Sequence, residues 1–293
     1  MRNLIYIESP FQLLQAYEVI HNNSDKIYKI IIRLSKKKIN NQQLYNLKKL
    51  FNFEDNTRLI SDHGKIGVPF IALRLMVSSY FYENLYIGDE NSRVFRIIRC
   101  FIKSNKIIFL DDGVSVLNSK YKGNYKRFTI FSTNNFKQNN KFSNIRKKYI
   151  GKSEYQSGNI IIGQPFVEEN CSERSVYEKY LYRVLEDSSN SIIYVPHRTE
   201  CKKNTQQYKK KFGFEILELR YPIELIEYET GIRPSCLYGS ISTAFFSLSI
   251  LYEGIPVVYY KFKEKNILRL SKEMNRISEY SKKIKNIRII HEE

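Results

Sequence analysis

One pattern recurs along the chain: a short apolar run of strand length, a turn, then a longer segment with its apolar residues on one helical face. Residues 3–8 read as a strand, and Ser9-Pro10 opens a helix carrying Phe11, Leu13, Leu14, Tyr17 and Ile20 on one broad side. Serine caps the first free amides, and proline tolerates the first turn because its missing N–H has no partner there. Strands follow at 27–34, 59–60, 85–89 and 106–110, with helices at 40–52, 69–82 and 93–103 between them. Strands this apolar need cover on both faces, which a parallel sheet clad in helices supplies. Parallel neighbours require crossovers, and these are right-handed.

Residues 132–157 break the rhythm. Asn, Lys and Ser dominate there, and the stretch reads as a linker or long surface loop. Alternation resumes with strands at 158–163, 191–196, 213–219, 235–239 and 256–261 and a short one at 287–291. Helices are expected at 172–187, 203–211, 222–229, 243–253 and 264–283. The expected class is α/β, as two Rossmann-like domains, 1–155 and 156–293, facing each other across a cleft. The last helix is placed where it can pack back on the first domain. A chain of 293 residues is long enough for both domains to bury a core.

The net charge of +18 suits an anionic substrate, an anionic membrane surface or nucleic acid. Abundant Lys, Asn, Ile and Tyr with no Trp also fit AT-biased coding, which accounts for part of that charge. The lysine tracts at 36–38, 202–203 and 209–211 read as solvated faces. No RNA-binding aromatic signature accompanies them, so nucleic acid is not expected as a partner. Cys100, Cys171, Cys201 and Cys236 are scattered, as expected of reduced thiols in a cytosolic protein. No His, Cys or carboxylate spacing resembles a zinc site, so no metal is expected. The chain enters a strand at once, so no signal peptide is expected. The apolar run from Val68 to Tyr82 is interrupted by Arg74 and falls short of the roughly 20 residues needed to span a bilayer. The expected location is cytoplasmic, with any membrane association peripheral, on the inner face of the cytoplasmic membrane.

Three turns after strands hold chemistry. Ile107 to Leu110 ends in Asp111-Asp112-Gly113. The two carboxylates either close the strand, or one takes a proton from a hydroxyl while its neighbour fixes the loop. Adjacent residues at a turn point apart, so they are not expected to share one proton. The strand 191–196 ends in Pro196-His197-Arg198. His197 is either a satisfied turn residue or a donor to a leaving phosphate, with the Arg198 fork adding charge. The strand 235–239 leads into Ser240-Ile241-Ser242-Thr243 and an apolar helix. Those hydroxyls either cap the helix or, with its free amides, cradle a phosphate. Gly163 and Gln164 end the strand 158–163 and are either a plain turn or backbone against a base or ribose.

In this order, Asp111-Asp112-Gly113, His197 and Ser242-Thr243 resemble the Asp/Glu-Asp/Glu-Gly, His-Pro and Ser-Ser/Thr motifs of bacterial sialyltransferases. Ser9-Pro10-Phe11-Gln12-Leu13-Leu14 is similar to the first strand–helix turn of the lipooligosaccharide and polysialic-acid transferase group, glycosyltransferase family 52-like. One departure is plain: proline precedes the histidine here, as Pro196, and Arg198 follows it. The resemblance implies a GT-B fold and a metal-independent enzyme with no cofactor. Its donor would be CMP-sialic acid. Its acceptor would be a lipid-linked glycan of lipooligosaccharide, lipopolysaccharide O-antigen or capsule, ending in galactose. Asp111 would be the general base, and His197 would stabilise the departing CMP. Asp112, Gly113, Gly163, Gln164, Arg198, Ser240, Ser242 and Thr243 would line the donor side. Glu8, Ser9, Gln12 and Asp89 are placed on the acceptor side because they end N-terminal strands or open the first helix.

Overall fold

A computed structural model describes residues 2–61, 67–88, 90–119, 125–152, 154–188, 192–267 and 270–292. The chain forms two compact units, Met1–Lys148 with Arg220–Pro222, and Tyr149–Leu219 with Ile223–Glu293. The units therefore divide at 148/149, where the sequence suggests 155/156. Three residues from the second half, Arg220–Pro222, count with the first unit.

The first unit runs β1 (Arg2–Ile7), α1 (Pro10–Asn22), β2 (Ile27–Leu34), α2 (Lys38–Leu50), β3 (Thr57–Ser61), α3 (Gly67–Ser79), β4 (Asn84–Ile87), α4 (Arg93–Ile98), β5 (Ile107–Phe109) and β6 (Lys126–Arg127). All its strands are parallel, in the order β3-β2-β1-β4-β5-β6. That is the doubly wound order, which reverses direction between β1 and β4. Leu4 and Tyr6 of β1 join Leu85 and Ile87 of β4 and Ile107 and Phe109 of β5 in one buried cluster. Ile71, Ala72 and Leu75 of α3 and Val94, Phe95 and Ile98 of α4 cover that cluster.

The second unit repeats the plan with β7 (Gln156–Ile162), α6 (Arg174–Asp187), β8 (Ile192–Val195), α7 (Lys202–Phe212), β9 (Glu215–Ile216), α8 (Ile226–Thr230), β10 (Ile232–Gly239), α9 (Ala244–Leu251), β11 (Val257–Lys261), α10 (Ser271–Ser281) and β12 (Ile287–His291). Its parallel order is β12-β11-β10-β7-β8-β9, with the reversal between β7 and β10. Its core is aromatic: Tyr177, Tyr180, Tyr194, Tyr208, Tyr260, Phe166, Phe214 and Phe262 pack together. The two-domain α/β fold is therefore GT-B in plan, as the motifs imply.

Three segments depart most from the sequence reading. The expected helix at 264–283 is divided into a 3-10 turn, Glu264–Asn266, and α10, because Leu270 takes a left-handed φ of 67° just before α10. α10 belongs to the second unit and packs on β11 and β12. The strand expected at 213–219 shrinks to the two-residue edge strand β9.

The third is a helix inside the expected linker, α5 (Ser143–Tyr149). Its sequence is basic and weakly patterned, and its start signal comes from elsewhere in the chain. Glu18 of α1 accepts from the amides of Ile145 at 2.7 Å and Asn144 at 3.2 Å, and from the Asn144 side chain at 2.8 Å. A distant carboxylate thus satisfies the first free N–H groups of α5. Glu18 is buried, so Glu18→Ala leaves those donors without partners. Its expected cost is about 1–3 kcal/mol in urea unfolding. Glu18→Gln keeps one acceptor oxygen and should lose less. A wild-type midpoint for Glu18→Ala would show that α5 needs no such cap.

Candidate active site

In a doubly wound sheet, ligands bind outside the carboxyl ends of the strands, where the order reverses. In the first unit Glu8 follows β1, Gly88 follows β4, and Asp111 lies just past β5. These are neighbouring strands, so the three positions share one edge. Asp89 lies outside the described residues.

Two glutamines of α1 build this edge. Gln12 accepts from the Glu8 amide at 2.8 Å and donates from Nε2 to Asp112 Oδ1 at 2.9 Å. Its amide crosses directly over Gly88, where any Cβ would collide with it. Gln15, one turn on, donates to the Asp111 carbonyl and accepts from the Asp111 amide, both at 2.9 Å. Spacing of i and i+3 puts both glutamines on the side of α1 that faces the strand ends. Ser9 accepts from the Gln12 amide at 3.3 Å, so its hydroxyl works as the N-cap. Glu8 is held by Arg33 at 2.5 Å and by the Tyr6 hydroxyl at 3.2 Å.

The two adjacent carboxylates have different surroundings. Asp112 is half-buried and takes the Gln12 amide. Asp111 is 1% exposed. Its Oδ2 accepts from the Ile130 amide at 2.8 Å, while its Oδ1 is buried with no hydrogen-bond partner. Burial pushes its pKa up to about 7; hydrogen bonds from Thr129 and the Ile130 amide and the charge of Arg127 oppose the rise. A carboxyl that titrates near neutrality, with one unengaged oxygen, has what a general base needs. Arg127 itself forms an ion pair with Glu90, next to Ser119.

In the second unit Gly163 and Gln164 follow β7, His197 comes two residues after β8, and Ser240 follows β10. β7, β8 and β10 are neighbours, and β7 and β10 flank the reversal. Four of the expected residues, at the ends of three strands, therefore lie along one sheet edge. The His197 amide donates to Glu200 Oε2 at 2.5 Å. Its Nδ1 lies 2.8 Å from the Thr199 hydroxyl and accepts from the Thr199 amide at 3.3 Å. An Nδ1 that accepts leaves the hydrogen of neutral imidazole on Nε2.

Glu200 was not singled out from sequence. It closes a buried relay: the Gln164 amide donates to Tyr177 Oη at 3.1 Å, Tyr177 and Tyr194 hydroxyls meet at 3.0 Å, and Tyr194 donates to Glu200 Oε1 at 2.5 Å. The relay ties the end of β7 to the His197 turn. Burial raises the Glu200 carboxyl to about 8, against the pull of the Tyr194 and His197 bonds. The one sequence clue is its place three residues after the histidine. Gly163 sits where a Cβ would collide with Glu200 Oε2 and stand 2.8 Å from Tyr194 Oη. Gly163→Ala is therefore expected to shift the relay and cost about 1–3 kcal/mol, read from urea midpoints. An unchanged midpoint would mean that the Glu200 side chain moves aside freely.

Ser240 is fully buried beside Tyr259. Ser242 Oγ accepts from the Ala244 amide at 3.1 Å, and the Thr243 carbonyl takes the amides of Phe246 and Ser247. These two residues thus serve the start of α9. Arg198 is exposed and close enough to the buried Glu224 to favour its charged form, whereas burial, the larger influence, raises that carboxyl. Ser247 donates to Glu224 at 2.7 Å. Glu224 too carried no sequence signal, because the residues that hold it lie on separate segments. Among the described residues no group of three or more His, Cys, Asp or Glu is arranged to hold a metal ion.

No family model matches the chain, and no curated protein matches it in sequence. Solved structures do match its fold. UDP-GlcNAc 2-epimerase of Methanocaldococcus jannaschii, in complex with UDP-GlcNAc and UDP, superposes with a TM-score of 0.62 at 10% identity, over 99% of this chain and 89% of that one. A putative UDP-N-acetylglucosamine 2-epimerase of Listeria monocytogenes gives 0.56 at 9% identity, over 88% and 78%. S. aureus MnaA with UDP gives 0.54 at 8% identity, over 99% and 84%. The shared property is the fold, a two-domain GT-B plan of the kind those nucleotide-sugar proteins use.

Proposed function

We propose that this protein is an inverting, metal-independent sialyltransferase. It moves sialic acid from CMP-sialic acid to a terminal sugar, galactose, on a lipid-linked bacterial surface glycan. The observation that carries the reading is Asp111: a buried carboxyl at a sheet edge, near-neutral in pKa, with one oxygen unengaged. Order and placement of the other motifs support it, since His197 and Ser240 follow β8 and β10, the two strands that flank β7 in the second unit.

In this mechanism Asp111 Oδ1 accepts the proton of the acceptor hydroxyl. The hydroxyl oxygen forms a bond to the anomeric carbon of the sialyl residue. The bond from that carbon to the phosphate oxygen breaks, its electron pair leaves with CMP, and the configuration inverts. His197 donates from Nε2 to the phosphate as charge builds on it. The positive end of the α9 dipole adds to this. Preorganised donors of this kind stabilise the transition state without a cation, so no metal is assigned.

A UDP-sugar donor is the second reading, because the proteins of like fold are named for UDP or UDP-GlcNAc. Release of CMP from CMP-N-acetylneuraminic acid, with and without a galactose-terminated acceptor and in EDTA, separates the two. Acceptor-stimulated release is the expected result. No release from folded protein, with turnover of a UDP- or GDP-sugar instead, would move the assignment to another donor.

A further inference from the structure

The helix α3 leaves an apolar face that the core does not use. Ile71, Ala72 and Leu75 are buried, whereas Phe70 is 59% exposed, Leu73 56% and Val77 54%. Those three follow helical spacing and form one stripe along the helix. Tyr80 and Phe81 extend it past the helix end at 85% and 73% exposure. Phe101, 66% exposed, follows α4. Lys106 donates to the carbonyls of Ser79 and Tyr82, which holds the segment after Phe101 against the end of α3. α3 and α4 bury their inner sides in one cluster, so their outer sides share one solvent face. Proteins rarely leave this much clustered apolar surface in water without a use for it.

The same face is basic. Arg93, Arg96 and Arg99 are exposed at every third position of α4 and its C-cap, and Arg74 stands within the stripe. Residues 67–82 and 91–106 contain no Asp or Glu. Arg58 is near enough to Arg74 to oppose its charge, although burial is the larger reason that Arg74 is lowered.

We propose that the α3–α4 face docks on an anionic phospholipid bilayer, with Phe70, Leu73, Val77 and Phe81 entering the headgroup boundary and Arg74, Arg93 and Arg96 pairing with lipid phosphates. Apolar residues beside exposed cations are what an interfacial helix presents to such a surface. A second copy is the weaker occupant, since a two-fold contact would set arginine against arginine. A nucleic acid would use the cations but leave the aliphatic stripe in water. No helix among the described residues is long and apolar enough to cross a membrane, so the contact is one of docking. The inference stands apart from the donor, because any enzyme acting on a lipid-linked glycan would gain from it.

The test is co-sedimentation of the full chain with phosphatidylcholine vesicles, with and without about 30% phosphatidylglycerol. The expected result is binding to the anionic vesicles that added salt weakens. Phe70→Ser with Phe81→Ser, and separately Arg93→Glu with Arg96→Glu, should each weaken it by more than about tenfold. All four positions are exposed, so circular dichroism and thermal melting should match wild type. CMP release with a soluble acceptor should be unchanged, which keeps this outcome separate from that of the donor. Absence of binding to anionic vesicles, or variants that bind as wild type does, would overturn the proposal. So would a wild-type dimer in sedimentation velocity that Phe70→Ser with Phe81→Ser dissociates, because the face would then belong to a second copy.

Discussion

Asp111→Asn is expected to lower acceptor-dependent CMP release by about 10²–10⁴-fold, the usual worth of a positioned general base. Asparagine keeps an acceptor for the Ile130 amide at nearly the same volume, so the edge of the first sheet should survive. The stability of the variant provides a second readout. An unfolded aspartate loses its proton near 3.8, whereas Asp111 holds its own to about 7. Between those values the folded chain binds a proton that the unfolded chain has released, so this group's contribution to stability falls as pH rises. Its full cost, up to about 4 kcal/mol, is present above pH 7 and absent below about pH 4. Asparagine has no charge to bury. The difference in unfolding free energy between variant and wild type should therefore move in the variant's favour from pH 4 to pH 8, as the activity is lost. Asp112→Asn supplies the contrast. It retains an oxygen for the Gln12 amide and should cost less than about tenfold in rate. Reversal of the two results would make Asp112 the base and Asp111 a structural carboxyl.

His197→Ala is expected to lower kcat by about 10²–10³-fold, as removal of one preorganised donor does. The bond from Nδ1 to Thr199 leaves the hydrogen on Nε2, so a neutral imidazole already carries the required donor. The backbone of residue 197 is held by Glu200, a bond that alanine keeps, so the turn should retain its shape. Charge accumulates on the phosphate mainly in the transition state, so kcat should fall more than donor KM rises. His197→Gln retains an N–H donor on a more flexible arm of similar reach and should recover part of the loss. A kcat for His197→Ala within about threefold of wild type would remove the imidazole from the mechanism.

The positions at strand ends were legible because each is a local pattern. An apolar run, a turn residue and a polar side chain within ten residues sufficed to place Asp111, His197 and Ser240 at sheet edges. Ser242 and Thr243 were legible as a helix start, and the Ser242 hydroxyl accepts from the Ala244 amide there. Glu200 and Glu224 carry no local signal, because a carboxylate looks the same in sequence whether water or a protein hydroxyl donates to it. The helix at 69–82 was legible as apolar, yet which of its sides would stay in water depends on what α4 and the sheet cover.

By itself the sequence determined the alternation of strands and helices, hence parallel sheets, since backbone hydrogen bonding and side-chain periodicity act over a few residues. Tertiary structure decided which strands became neighbours, and so which turns met. Gln12 and Gln15 reach Asp112 and Asp111 across about 100 residues, and Glu18 starts α5 from a similar distance. No local pattern encodes such a pair. Each partner is a common polar residue, and its meaning comes from being desolvated beside the other when the sheet forms.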